Sequence, residues 1–366
     1  MQDFRALITR AKSQSYQVPE ITSESALGSI RTASPLGRRT VLSLALVVLA
    51  LIGPLFLHPY LELEFTLAFG YAMGCLGLNL ITGYTGQVSL GQSFFFAAGA
   101  YFSGWLVASE RVEFLVALPV AVILTFALAL ILAAPLVRLR GFNLALVTIG
   151  LALAVGPLST QLTGFTGGAA GLTVPPLASP FGLPWALGGF LYITALVALL
   201  LSILIIRQIV RGNSGRGMSA IRDRAEAAEA LGVHGDWIRA RSFALGAALA
   251  AAGGWVYVMS VGFLGPTSFP ILLSVYFLAG IVIGGTRSIL GSMIGGLIIE
   301  FLPPLASDIN EGAASLALGG VLVLAVVFAP DGIVGHFMTM ERWLTQGVER
   351  VHVARKTRTT RDESAS

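Results

Sequence analysis

The stretch GYTGQVSLGQSFFFAAGAY, residues 83–101, interleaves Gly83, Gly86 and Gly91 with Gln87, Ser89 and Gln92, inside a run free of charged residues from Phe65 to Ser109. Such a run belongs in a bilayer, where about 20 apolar residues make one helical crossing. Glycine weakens a helix and lets backbones approach closely, and an amide in hydrocarbon is costly unless it is bonded. Two physical readings follow. Either the segment is bent or broken, with its polar groups facing a cavity, or those groups are glue between tightly packed helices. Spacing alone leaves both open.

The rest of the chain repeats the pattern. At 55% hydrophobic and 11% charged over 366 residues, it lies far from the roughly 25% charged composition of a soluble domain. Charge-free runs also cover 40–61, 114–137, 141–206, 242–286, 288–299 and 312–330. Several are long enough for two crossings each, and continuous apolar runs of this length suit helices rather than the short alternating strands of a barrel. Pro, Gly and polar punctuation divides them into spans near 41–57, 62–82, 88–108, 114–137, 142–162, 185–206, 241–263, 269–286, 289–306 and 312–330. The expected fold is all-α, a polytopic membrane bundle of about ten helices with both termini cytoplasmic. With that count, only Arg111 of the 23 Lys and Arg residues falls on the outer side, as the positive-inside bias requires.

The net charge of +4 therefore reflects anchoring to anionic lipid headgroups and gives no sign of nucleic acid binding. Residues 1–40 form a polar, Ser-rich cytoplasmic extension of disordered composition, and 336–366 a basic cytoplasmic tail. Residues 41–335 are the membrane domain. His58, His234, His336 and His352 have no partner at ligand spacing, and Cys75 stands alone, so no metal site is expected. The glycines of 284–296, GGTRSILGSMIGG, lack the strand that a dinucleotide site needs. Gly291 and Gly295 read instead as small residues at a close helix contact. A buried carboxylate pair, as a proton-driven carrier would use, is not expected: Glu300 sits near an outer span end beside Pro303 and Pro304 and faces the interface. The chain carries no catalytic residues and is not expected to be an enzyme.

The longest internal loop, 207–241, contains RGNSGRGMSAIRDRAEAAEALGVHGDWIRARSF, residues 211–243. Ser219 is placed to cap a helix with the body AIRDRAEAAEAL, and Gly232 to end it. Ile221, Ala225, Ala228 and Leu231 or Gly232 make a seam at helical spacing, with charges on the other faces. So short a helix is marginal alone. It is either a surface connector or an element that docks on a partner.

EAAEALG, 226–232, resembles the EAA-type loop of ABC importer permeases, and its company extends the likeness. NLITGYTGQVSLGQSFFFAAGAY (79–101), RLRGFNLALVTIG (138–150), TGGAAGL (166–172), AIRDRAEAAEALGV (220–233) with RARSFALGAALAAAGGWVY (239–257), GGTRSILGSMIGG (284–296) and APDGIVG (329–335) stand in the order of the branched-chain amino acid ABC transporter permeases, LivM-like subunits. The chain resembles that family over about 40–335. The resemblance implies a permease subunit in a bacterial inner membrane, paired with a second, different permease, two ATP-binding subunits and an extracytoplasmic substrate-binding protein. This chain would bind no cofactor; ATP and Mg would sit in the partners. It further implies coupling to the ATPase through Arg222, Asp223, Arg224, Glu226, Ala227, Ala228, Leu231 and Gly232. The translocation path would be lined by Asn79, Gly83, Gln87, Ser89, Gly91, Gln92 and Asn143. Gln92 stands where the common family pattern has His, and LALAVGPL after Ile149 lacks a Glu often found there. The cargo is then a branched-chain or related amino acid, with urea or short amides as the alternative inside the family. An ATP-independent carrier or channel is the alternative outside it. The charge-free loop 163–184 is either a surface over which a binding protein delivers cargo or a plain connector.

Overall fold

The computed structural model describes residues 50–55, 57–136, 139, 141–175 and 187–307, together with Gly320, Gly332 and Gly335. Nearly all of them belong to one compact unit, Leu51–Ser366. The expected spans near 41–57 and 312–330, the extension 1–40, the tail 336–366 and the second half of the 163–184 loop fall wholly or largely outside the described residues.

Helices dominate: α1 Pro59–Leu78, α2 Gln92–Ala108, α3 Phe114–Leu136, α4 Phe142–Gln161, the single turn α5 Thr163–Thr166, α6 Leu187–Arg211, α7 Asn213–Ala230, α8 Gly235–Val261, α9 Ile271–Gly284 and α10 Ile289–Ser307. Five helical stretches are long and apolar enough to cross a membrane: Pro59–Tyr84, Phe114–Leu136, Phe142–Gln161, Gly188–Arg211 and Gly235–Val261. Ile271–Gly284 and Ile289–Leu305 are shorter apolar helices. The chain is a multi-pass membrane protein. Its lipid-facing character shows on α3 and α4, where Ile123, Ile131 and Phe142 are exposed, as side chains in contact with hydrocarbon should be.

At the centre stands α8, which packs against α1, α2 and α3. Most of its length is buried, through Ala244, Gly246, Ala247, Ala250, Ala251, Gly253 and Gly254. Helices in lipid gain little from burying apolar surface against one another, so association rests on close backbone packing. The small residues permit it. A methyl group at Gly253 would lie 2.3 Å from Gly70 O of α1, and one at Gly254 would lie 2.0 Å from Phe96 O of α2. The expected glycine contact after residue 284 is also present: Gly291 of α10 packs on the Gly284 backbone of α9, and Gly295 on that of Gly280. Larger groups fill the remaining space. Trp255 of α8 donates Nε1–H to Phe114 O at 2.9 Å, and Tyr71, Phe96, Tyr257, Phe269 and Phe277 form a continuous aromatic cluster.

Loops separate by end. At one end Gly86 lies against the Arg222 side chain, and Tyr84 Oη donates to Arg287 O at 2.7 Å. Because this end gathers Arg222, Arg239, Arg241 and Arg287, it is called the basic end below. At the opposite end, β1 Leu172–Thr173 pairs antiparallel with β2 Phe263–Leu264, and Tyr101 Oη donates to Gly265 O at 3.0 Å.

Two expectations need correction. The helix of the 207–241 loop begins at Asn213 with Gly212 as its N-cap, so Ser219 lies inside it and caps nothing. The chain turns tightly out of α6, with Gly215 set against Val210 O, and tertiary burial holds the upstream turns, where Met218 packs with Leu80, Tyr84 and Ile206. The carboxylates are also less dispersed than expected. Glu64 of α1 and Glu300 of α10 lie within hydrogen-bond reach of each other, because α1 and α10 pack along their lengths and bring together residues distant in sequence.

The packing of α8 has a direct test. Gly254→Val is expected to destabilise the protein by about 1–3 kcal/mol or more by overpacking. Gly150→Val, at a position with open space around it, is expected to change little. Thermal unfolding in detergent, followed by size-exclusion fluorescence, separates the two.

Candidate translocation path and coupling surface

The opening stretch is broken. After α1 the chain passes into a π-helical turn, Asn79–Tyr84, and from Gly86 to Gly91 there is no regular helix before α2 begins at Gln92. Wide π turns inside helices recur at functional sites. Freed backbone groups at membrane depth need partners within the protein, and here several of them are supplied. Gln87 N donates to Ile81 O at 3.2 Å, closing the turn. Leu90 N donates to Thr148 Oγ1 of α4 at 3.0 Å, and Ser93 N to Ser274 Oγ of α9 at 2.9 Å. Gly86 adopts φ +72°, a left-handed backbone that side chains disfavour.

The polar side chains of the stretch act largely as glue. Asn79, 2% exposed, makes three bonds to the turn before α10 and to α10 itself: Nδ2 to Ser288 O at 3.0 Å and to Ser292 Oγ at 2.8 Å, and Oδ1 from Arg287 N at 2.9 Å. Gly83 lies directly over that amide, with no room for a side chain. Gln87 Nε2 donates to Thr85 Oγ1 at 3.0 Å and to Arg239 O at 3.4 Å. Gln92, fully buried, bridges α1 and α8 by donating to Gly74 O at 3.0 Å and Gly246 O at 3.2 Å. Its Oε1 has no partner. Ser89 Oγ, also buried, accepts from Gly91 N at 3.5 Å, and Gly91 packs against Thr148 O. Exposed among these residues are Gly86 and Val88 on the break and Asn143 on the first turn of α4. Only Asn143 stands apart; Thr148, one to two turns later, is the α4 residue that meets the break.

Beside the break, at the basic end, α7 lies exposed along most of its length. Its φ and ψ leave the helical range at Arg224 (−151°, 89°), so it bends there. It ends as the sequence requires. Gly232, at φ +85°, donates N–H to Glu229 O at 3.0 Å, and Val233 donates to Ala228 O at 3.0 Å. This pair of bonds satisfies the last carbonyls of the helix. Ile221 and Ala228 are buried against the protein, whereas Arg222, Asp223, Arg224, Glu226, Ala227, Leu231 and Gly232 face outward. Leu231, expected in the seam, is 86% exposed.

Over residues 61–328 the sequence matches the family described as branched-chain amino acid transport system / permease component. It is 31% identical over 312 residues to the high-affinity branched-chain amino acid transport system permease protein LivM of Escherichia coli (strain K12), covering 79% of this chain and 73% of that one. The chain belongs to this permease family.

Two further relatives carry the same system name. The permease is 25% identical over 296 residues to LivH of Escherichia coli (strain K12), across 74% of this chain and 92% of the relative. It is 32% identical over 134 residues to BraD of Pseudomonas aeruginosa, across 35% and 41%. No solved structure matches the chain at a significant level.

Two residues of the permease site carried no signal in the sequence. Thr148 is a lone hydroxyl in an apolar run and shows its role only through Leu90. Arg239 reads as one more membrane-end arginine, yet it is 7% exposed and pairs with Asp236 at 3.2 Å and Glu229 at 3.7 Å.

Asn79→Ala removes all three bonds and leaves Arg287 N and Ser288 O without that partner. A buried group left unsatisfied costs about 1–3 kcal/mol, so the variant is expected to unfold several degrees below the wild type in detergent. Ser292→Ala, which removes one bond, is expected to lose less; equal stability of all three proteins would contradict the assignment.

Proposed function

We propose that this permease is one transmembrane subunit of an ATP-driven importer that moves a branched-chain or related amino acid. It pairs with a second, different permease subunit and with two ATP-binding subunits, and an extracytoplasmic binding protein delivers the cargo. In the proposed topology of ten spans across the inner membrane of a bacterium, the basic end faces the cytoplasm and both termini lie inside. ATP and Mg act in the partners, and this chain binds neither.

One observation carries the proposal: α7, bearing the EAAEALG sequence, projects Arg222, Asp223, Glu226, Ala227 and Leu231 from the basic end and lies against the break in the membrane path through Gly86. A surface that a separate motor grips must be exposed, and it must touch the part that changes state. An effector shifts an equilibrium only by its differential interaction with the two states, and α7 is placed to deliver that difference. The relatives named as branched-chain amino acid permeases support the cargo class. The charge-free 163–184 loop, which β1 holds to β2 at Leu172–Thr173, is the surface proposed to receive the binding protein.

Ala227→Arg, on the outward face of α7, is expected to cut ATP-driven uptake by the reconstituted complex by about tenfold, the equivalent of about 1.4 kcal/mol of docking free energy. Membrane insertion of the chain should be unaffected, as read by its yield and elution profile. Normal uptake by this variant, or uptake by the isolated chain without ATP-binding subunits, would contradict the proposal.

A further inference from the structure

We infer that Arg239 is the positioning residue that ties the coupling helix α7 to the break in the membrane path, so that motion of α7 is delivered to residues 86–91. The inference rests on the proposed function and names the route inside it.

Arg239 lies on the second turn of α8, with its side chain 9% exposed. A cation so buried requires partners, because an unpaired buried charge is strongly destabilising. Asp236, on the same helix, supplies one at 3.2 Å, with Nη1 donating to Oδ1. Glu229, on the last turn of α7, supplies the other at 3.7 Å. That separation exceeds a hydrogen bond, so the contact tightens or opens as α7 shifts while Asp236 keeps the guanidinium paired. On the backbone side of the same residue, Arg239 O accepts from Gln87 Nε2. One residue thus holds α7 through its guanidinium and the break through its carbonyl.

A second contact runs in parallel. Gly86 packs beneath Arg222, and a methyl group at Gly86 would lie 2.9 Å from Arg222 Cγ. Arg222 and Glu229 stand on opposite sides of the bend at Arg224. The coupling helix therefore reaches adjacent residues of the break from the two sides of its bend, Gly86 directly through Arg222 and Gln87 through Arg239 of α8. From Gln87 the chain continues to Leu90, bonded to Thr148 of α4, and to Gly91, packed on the same residue. The route is α7, Arg239 with Arg222, the break, then α4.

The test uses the complete complex in proteoliposomes and measures amino acid imported per ATP hydrolysed. Glu229→Gln keeps the shape and removes the charge at a partly exposed position, so it leaves the fold in place. ATP turnover is expected to stay within about twofold of wild type, and import per ATP to fall about fivefold or more, the range of ordinary site-to-site coupling. Gly86→Ala is expected to lower the same ratio, because it strains the left-handed backbone at φ +72° and meets Arg222 Cγ. Wild-type stoichiometry in Glu229→Gln would overturn the route. Wild-type complex that imports without ATP would instead overturn the proposed function, so the two failures are distinguishable.

Discussion

A polypeptide inside hydrocarbon has no water to bond its amides and carbonyls, and this requirement governs the permease at its most irregular point. The chain leaves helical geometry between Tyr84 and Gln92, where unbonded backbone groups would each cost several kcal/mol. Leu90 is held by Thr148, Gln87 by Ile81 and Ser93 by Ser274. The break is therefore a joint with defined partners on α4 and α9. Its cost is offset by contacts that any rearrangement of those helices must alter, which is the property a gate in a transport path needs.

Around the joint the protein is built for close approach. The small residues of α8 bring α1 and α2 to backbone contact, and Gly284, Gly291, Gly280 and Gly295 do the same for α9 and α10. Interiors packed this tightly move as rigid pieces rather than deforming smoothly. Freedom concentrates where packing is interrupted, at the break and at the bend in α7. The two irregularities meet at the basic end, through Gly86 with Arg222 and through Arg239.

Much of this was legible in the sequence, for physical reasons. Charge-free runs and arginine bias mark spans because lipid excludes charge, and described helices overlap eight of the expected spans, with α1, α6 and α8 running several residues past the expected ends. Gly232 announced the end of α7 because few residues other than glycine accept its backbone. The start of α7 was not legible: Ser219 is a good cap by type, but burial of Met218 against Leu80 and Tyr84, distant in sequence, holds the helix upstream of it. Nor could spacing distinguish path from glue at Asn79 and Gln92, whose partners lie at Ser288, Ser292, Gly74 and Gly246. Such contacts follow from packing, as does the meeting of Glu64 with Glu300. Arg239 is the sharpest case, since its residue type and position both read as a headgroup anchor.

The central claim is that the break between π turn and α2 changes position when the ATP-binding partners act. Spin labels at Val88→Cys, on the exposed edge of the break, and Leu162→Cys, at the opposite end of α4, in a Cys75→Ser background, report it by pulsed dipolar spectroscopy on the complete complex. Trapping the complex with a non-hydrolysable ATP analogue is expected to shift the mean distance by about 1–2 Å or more, the scale of helix shifts in switching proteins. An unchanged distance distribution in a complex shown to bind the analogue would contradict the account.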